Sequence, residues 1–147
     1  MLPDRPNLFL DFREWDGHWG DERMTDDVIN RNLQWLSNIV TNPQCPKSLL
    51  FVPSTKVMKI LYSWLFEVLV DHDLEPCLLL DQVCGGSSSQ HKASTLDRFC
   101  SGSLRVVICT SVWGAGIDFP NVGLVVVFWS GGQSLRDDWQ EGGRAGR

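Results

Sequence analysis

Short unbroken apolar runs, separated by stretches of helical periodicity, set the tightest limit on what this chain can fold into. They read SLLFVP at 48–53, PCLLLDQV at 76–83, LRVVICT at 104–110 and GLVVVFW at 123–129, preceded by an alternating PNLFLDFREW at 6–15. A strand with one wet face alternates apolar and polar residues, whereas a strand covered on both faces stays apolar throughout. Between the runs the period changes. Ile29, Leu33, Leu36 and Val40 fall on one helical face after a cap at Thr25 or Asp26, and TNPQCP ends that helix. Val57, Ile60, Leu61, Trp64, Leu65 and Val68 form a second stripe, capped by Ser54 or Thr55. HKASTLDRFCSG and SLRDDWQ read as further helices, and DGHWGDERM, CGGSSSQ and SVWGAGIDFPNV as loops. Doubly covered strands alternating with helices predict an α/β fold, a parallel sheet with helices on both faces. In such sheets ligands gather where the strands end, here Pro53–Lys56, Cys84–Gly86, Thr110–Asp118 and Trp129–Gln133.

Composition narrows the function. At 147 residues the chain is the size of one domain, able to bury about two-thirds of its unfolded surface. No apolar run approaches the ~20 residues of a membrane span, and the N-terminus lacks a basic then apolar leader, so an intracellular location is expected. Five cysteines without a C-x-x-C pair suit buried thiols better than a disulfide frame, and three scattered histidines give no metal spacing. The net charge is −5. Strong nucleic-acid binding normally needs a basic face, so any such contact must be local. Residues 1–46 carry four Arg against eight acids, while 102–147 balance four with four.

No G-x-x-x-x-G-K-[ST] occurs, nor an acidic D-E-x-[HD] run to hold magnesium, so these residues do not cradle a triphosphate in the usual way. GAGIDF at 114–119 has the start of a dinucleotide fingerprint, but Phe119 stands at its third glycine and no helical pattern opens there. QEGGRAGR at 140–147 sets Arg144 and Arg147 three apart among glycines. Guanidinium groups are permanently charged planar forks suited to phosphate oxygens, and glycine lets the backbone come close to a ligand.

Together these stretches resemble the second RecA-like motor lobe of superfamily-two helicases, and most closely the RecQ family of DNA helicases. RPNL at 5–8 is similar to the peptide that opens that lobe, and LLFVPSTK at 49–56 to motif IV, with Thr55 in place of the family arginine. TSVWGAGIDFPNV at 110–122 is similar to motif V, and WQEGGRAGR at 139–147 to motif VI. VCGG places Cys84 where the family has histidine, and FWSGGQS differs from the family's H-x-x-x-P-x-S before motif VI.

The resemblance implies a P-loop NTPase-type second motor lobe over residues 1–147, ending just after motif VI and without the first lobe. It implies ATP and Mg²⁺, held mainly by that P-loop-bearing lobe, which would act in cis or in trans. Arg144 and Arg147 would serve as catalytic fingers toward the γ-phosphate, a role worth about 10³–10⁵ in rate. Gly116, Asp118 and Gln140 would bind nucleotide, Asp118 at the ribose or orienting the arginines. The lesser reading of Asp118 is a turn residue bonded to its own backbone. Ser54, Lys56, Thr110, Ser111 and Trp113 would contact DNA, with Trp113 stacking on a base or filling a groove. The implied activity is ATP-dependent 3′-to-5′ unwinding of single-stranded or forked DNA in repair or recombination, in the nucleus if the cell is eukaryotic, with no membrane partner. Two other readings stay open, a non-catalytic binding module and a lobe of a DExD/H RNA helicase. Gln140 in place of the DEAD-box histidine, with RPNL and GRAGR, points to the DNA family.

Overall fold

A computed structural model describes residues 11, 13, 25–110 and 122–128. Its elements are α1 (Asp26–Val40), β1 (Lys47–Val52), α2 (Thr55–Asp71), α3 (Pro76–Leu79), β2 (Leu80–Val83), α4 (Ser89–Cys100), β3 (Val106–Thr110) and β4 (Val122–Val127). The described strands form one parallel sheet in the order β2-β3-β1-β4. β1 and β3 stand in its middle, and both are apolar on successive residues because both of their faces are covered. Leu50, Val52, Val106 and Ile108 face the helix pair α1 and α2, while Leu49, Phe51, Val107 and Cys109 face the opposite layer, where Phe99 of α4 packs. This is the RecA-like arrangement expected from the alternating runs.

The α1 stripe buries Ile29, Leu33, Leu36 and Val40, and Thr25 occupies the cap position without a side-chain bond. On α2 the fully buried face is Val57, Met58, Leu61, Trp64, Leu65 and Leu69. Ile60 and Val68 lie at its border, half-buried. The run at 76–83 departs from expectation, because only Leu80–Val83 is strand and Pro76–Leu79 is a helical turn. β3 offers partners from Val106 onward, paired to Leu80, so the residues before Leu80 have no ladder to join. Pro76 at the first helical position, where its missing N–H costs nothing, starts the turn instead. α4 begins at Ser89, two residues before the expected helix, capped by Ser88 Oγ accepting from the His91 N–H at 3.1 Å.

β4 carries a bulge. Lys47 pairs with Val122 and Ser48 with Leu124, which leaves Gly123 unpaired and reverses the facing of the residues after it. A Cβ on Gly123 would lie 2.5 Å from Cβ of Pro46, so the close approach requires glycine. At the other margin, Asp81 ties β2 to α4. Its carboxylate accepts from the buried Thr95 hydroxyl at 2.8 Å and the Gln82 N–H at 2.7 Å, with Arg98 at 3.5 Å and His91 at 3.4 Å. His91 Nε2 also lies 2.9 Å from the Gln82 carbonyl oxygen. The opening strand expected at 6–15 and the helix at SLRDDWQ lie outside the described residues, apart from Asp11 and Arg13, which are not in a strand.

Candidate functional site at the carboxyl edge of the sheet

Register brings the strand exits side by side. Val52 pairs with Thr110 and Val83 with Cys109, so Ser54, Thr110 and Cys84 leave the sheet at the same edge. Phe128 joins them through its N–H bond to the Phe51 carbonyl at 2.9 Å. The edge therefore collects Ser54, Lys56 and Thr110 of the expected nucleic-acid contacts. Gly116, Asp118, Gln140, Arg144, Arg147, Ser111 and Trp113 lie outside the described residues.

Ser54 does structural work at this edge. Its Oγ accepts from the Val57 N–H at 3.3 Å and so caps α2. α2 runs 17 residues with no acid in its first turn, which leaves its positive dipole end and unbonded amides facing outward beside the exposed Lys56. α4 repeats the pattern two strands over, on the opposite face of the sheet. Ser88 caps it, its first turn has no acid, and Lys92 follows, with Nζ donating to the Gly85 carbonyl at 3.3 Å. In a chain of net charge −5, these two helix starts and two lysines make this edge locally attractive to anions.

The turn Cys84–Ser87 leads from β2 to the start of α4. The Ser87 N–H donates to the Cys84 carbonyl at 3.1 Å, and Ser87 Oγ accepts from the Cys84 N–H at 3.1 Å and lies 3.7 Å from its sulfur. The Ser87 hydroxyl holds the Cys84 thiol below its ordinary pKa. Burial opposes it as the next largest effect, and the backbone amides of Gly86 and Ser87 and the charge of Lys92 each add a lesser lowering. Cys45, by contrast, is pushed up, chiefly by burial. The stretch C-G-G-S-S before a helix, with a lysine one turn in, is the sequence signal for this second anion-facing turn, which adds Ser87, Ser88 and Lys92 to the residues expected at the site. Among the described residues no three His, Cys, Asp or Glu side chains group to hold a metal ion. None of the described loops carries a phosphate-cradling sequence either, so the residues described do not themselves fit a nucleotide triphosphate.

The profile of the family "Helicase conserved C-terminal domain" matches residues 31–147. The chain is 43% identical over 47 residues to the ATP-dependent RNA helicase ROK1 of Yarrowia lipolytica, a match covering 32% of this chain and 9% of that protein. It is 39% identical over 62 residues to the ATP-dependent DNA helicase Q-like 5 of Arabidopsis thaliana, covering 42% and 7%. The Mycobacterium smegmatis helicase Lhr, solved bound to ssDNA and AMP-PNP, superposes with a TM-score of 0.69 at 28% identity, over 80% of this chain and 15% of Lhr. The chain thus spans a small part of the length of each of these proteins.

Proposed function

The chain belongs to the helicase conserved C-terminal domain family, and from that premise we propose that it works as the second motor lobe of an ATP-dependent 3′-to-5′ DNA helicase of RecQ type. The observation that carries the reading is the anion-attracting carboxyl edge. Lys56, Thr110, the Cys84–Ser87 turn and two acid-free helix starts come together there on an otherwise acidic chain. Small polar groups and backbone amides of this kind grip phosphates without reading bases, as a translocating motor requires. Ser54 would contribute through the helix start it caps, and Ser111 and Trp113 would extend the same surface. Gly116, Asp118 and Gln140 would face the nucleotide, and Arg144 and Arg147 would meet charge that grows on its phosphates. ATP and Mg²⁺ would be held by a P-loop lobe. RPNL, Gln140 and GRAGR, with the likeness to helicase Q-like 5, support DNA as the strand. The ROK1 segment favours a second reading, in which the strand is RNA.

The test joins this lobe to a P-loop lobe of the same family and measures ATP hydrolysis with saturating ssDNA and, separately, ssRNA. Stimulation by ssDNA is expected, and Arg147→Ala should lower kcat by about 10³ with little change in nucleotide affinity. Arg147→Lys keeps the charge but loses the fork, and should rescue poorly. Stimulation by RNA alone would transfer the assignment to the RNA class. No stimulation by either, in a folded protein, would leave a binding module.

A further inference from the structure

We propose that the corner between α2 and α3 is a docking surface for a partner protein's basic amphipathic helix, separate from the carboxyl edge. α2 starts at the carboxyl edge and runs back across the sheet, and α3 leads into the first residue of β2, so their corner lies at the opposite, amino edge. The large apolar side chains that stand exposed among the described residues are both here, Val70 at 49% and Leu78 at 62%. The chain turns tightly between them, with the Asp73 N–H bonded to the Val70 carbonyl and the Leu74 N–H to that of Leu69.

The surrounding charge selects the occupant. Asp71, Asp73 and Glu75 are all exposed, and no Lys or Arg occurs between Lys59 and Lys92; Arg98 reaches the corner from α4, donating to the Cys77 carbonyl at 2.9 Å, but its guanidinium is paired with Asp81 at 3.5 Å. None of these three acids forms an ion pair among the described residues. The last turn of α2 has no basic residue, so the negative end of its dipole adds to the carboxylates instead of being offset. Nucleic acid is repelled from such a surface. A helix with a Leu-type apolar stripe flanked by Lys or Arg would cover Val70 and Leu78 and neutralise the rim at once.

The probe is a fluorescein-labelled model helix of about 18 residues, five turns, built of Leu and Lys, with a Leu/Glu counterpart, titrated with the full chain and read by anisotropy. The Leu/Lys helix should bind in a salt-sensitive manner and the Leu/Glu helix should not. Val70→Ser/Leu78→Ser should weaken binding by about tenfold or more, and so should Asp71→Asn/Asp73→Asn/Glu75→Gln. Neutralising an equal number of exposed acids elsewhere, Asp26→Asn/Asp27→Asn/Asp97→Asn, should change it little. The side chains altered are exposed, and melting curves verify that each variant folds. An equal loss in the control triple variant, no loss in either corner variant, or no binding of the Leu/Lys helix would overturn the proposal. Sedimentation showing a dimer dispersed by Leu78→Ser would overturn it too, by making a second copy the occupant.

Discussion

Cys84 gives the loop after β2 a chemistry of its own. Where the RecQ pattern has an imidazole, this chain has a thiol whose anion is favoured by the Ser87 hydroxyl, two backbone amides and Lys92. A pH profile of iodoacetamide labelling, read site by site by mass spectrometry, should place the Cys84 midpoint below that of Cys45. Ser87→Ala should raise it, and an unmoved midpoint would remove Ser87 as the cause. A thiol depressed on folding adds stability that is complete above the ordinary thiol pKa and is lost as pH falls through the lowered one. At this scale the sequence was readable where a residue's role is local. Ser54 sits before a periodic stripe and caps it, and Ile29, Leu33, Leu36 and Val40 are all buried as their spacing predicts. Ser87 and Lys92 escaped because their significance comes from a turn geometry and a neighbouring strand exit that spacing alone does not encode.

Elements follow their partners as much as their own composition. PCLLLDQV is apolar enough to be strand from end to end, yet it pairs only where β3 exists to receive it, and Pro76–Leu79 becomes a helical turn. The α2 stripe shifts toward Met58 and Leu69 for the same kind of reason, since the buried face is set by where α1 and the sheet lie. The bulge in β4 was invisible because it depends on Pro46, 77 positions from Gly123 along the chain, coming within contact of it. Gly123→Ala should cost about 1–3 kcal/mol by overpacking. Calorimetry should record this as a Tm lower by about 3–10 °C. In a Pro46→Gly background, where the opposing ring is gone, the added alanine should cost much less. An undiminished loss there would mean that Pro46 is not what excludes a side chain.

Across the described residues charge is polarised, with helix starts and lysines at the carboxyl edge and acids without an ion pair at the α2–α3 corner. Residues 1–147 by themselves should therefore bind single strands weakly, with affinity falling steeply between about 50 and 200 mM salt, and hydrolyse no ATP. Filter binding across a salt series, beside a coupled ATPase assay, checks both. Turnover by this chain alone, abolished by Arg144→Ala, would demand a phosphate site that its sequence does not reveal. The fold class was legible from the apolar runs because doubly covered strands have one economical arrangement, whereas the polarity depends on which strand ends become neighbours. The closure of β2 by its own side chains matters at this scale as well. Gln82 has its N–H taken by Asp81 and its carbonyl met by His91, so the margin of the sheet offers an incoming strand no free rung at that position. That position is thereby guarded against zipping onto other copies of the chain, and loss of the Asp81 and His91 side chains would show first as fibrils or precipitate and only later as lost function.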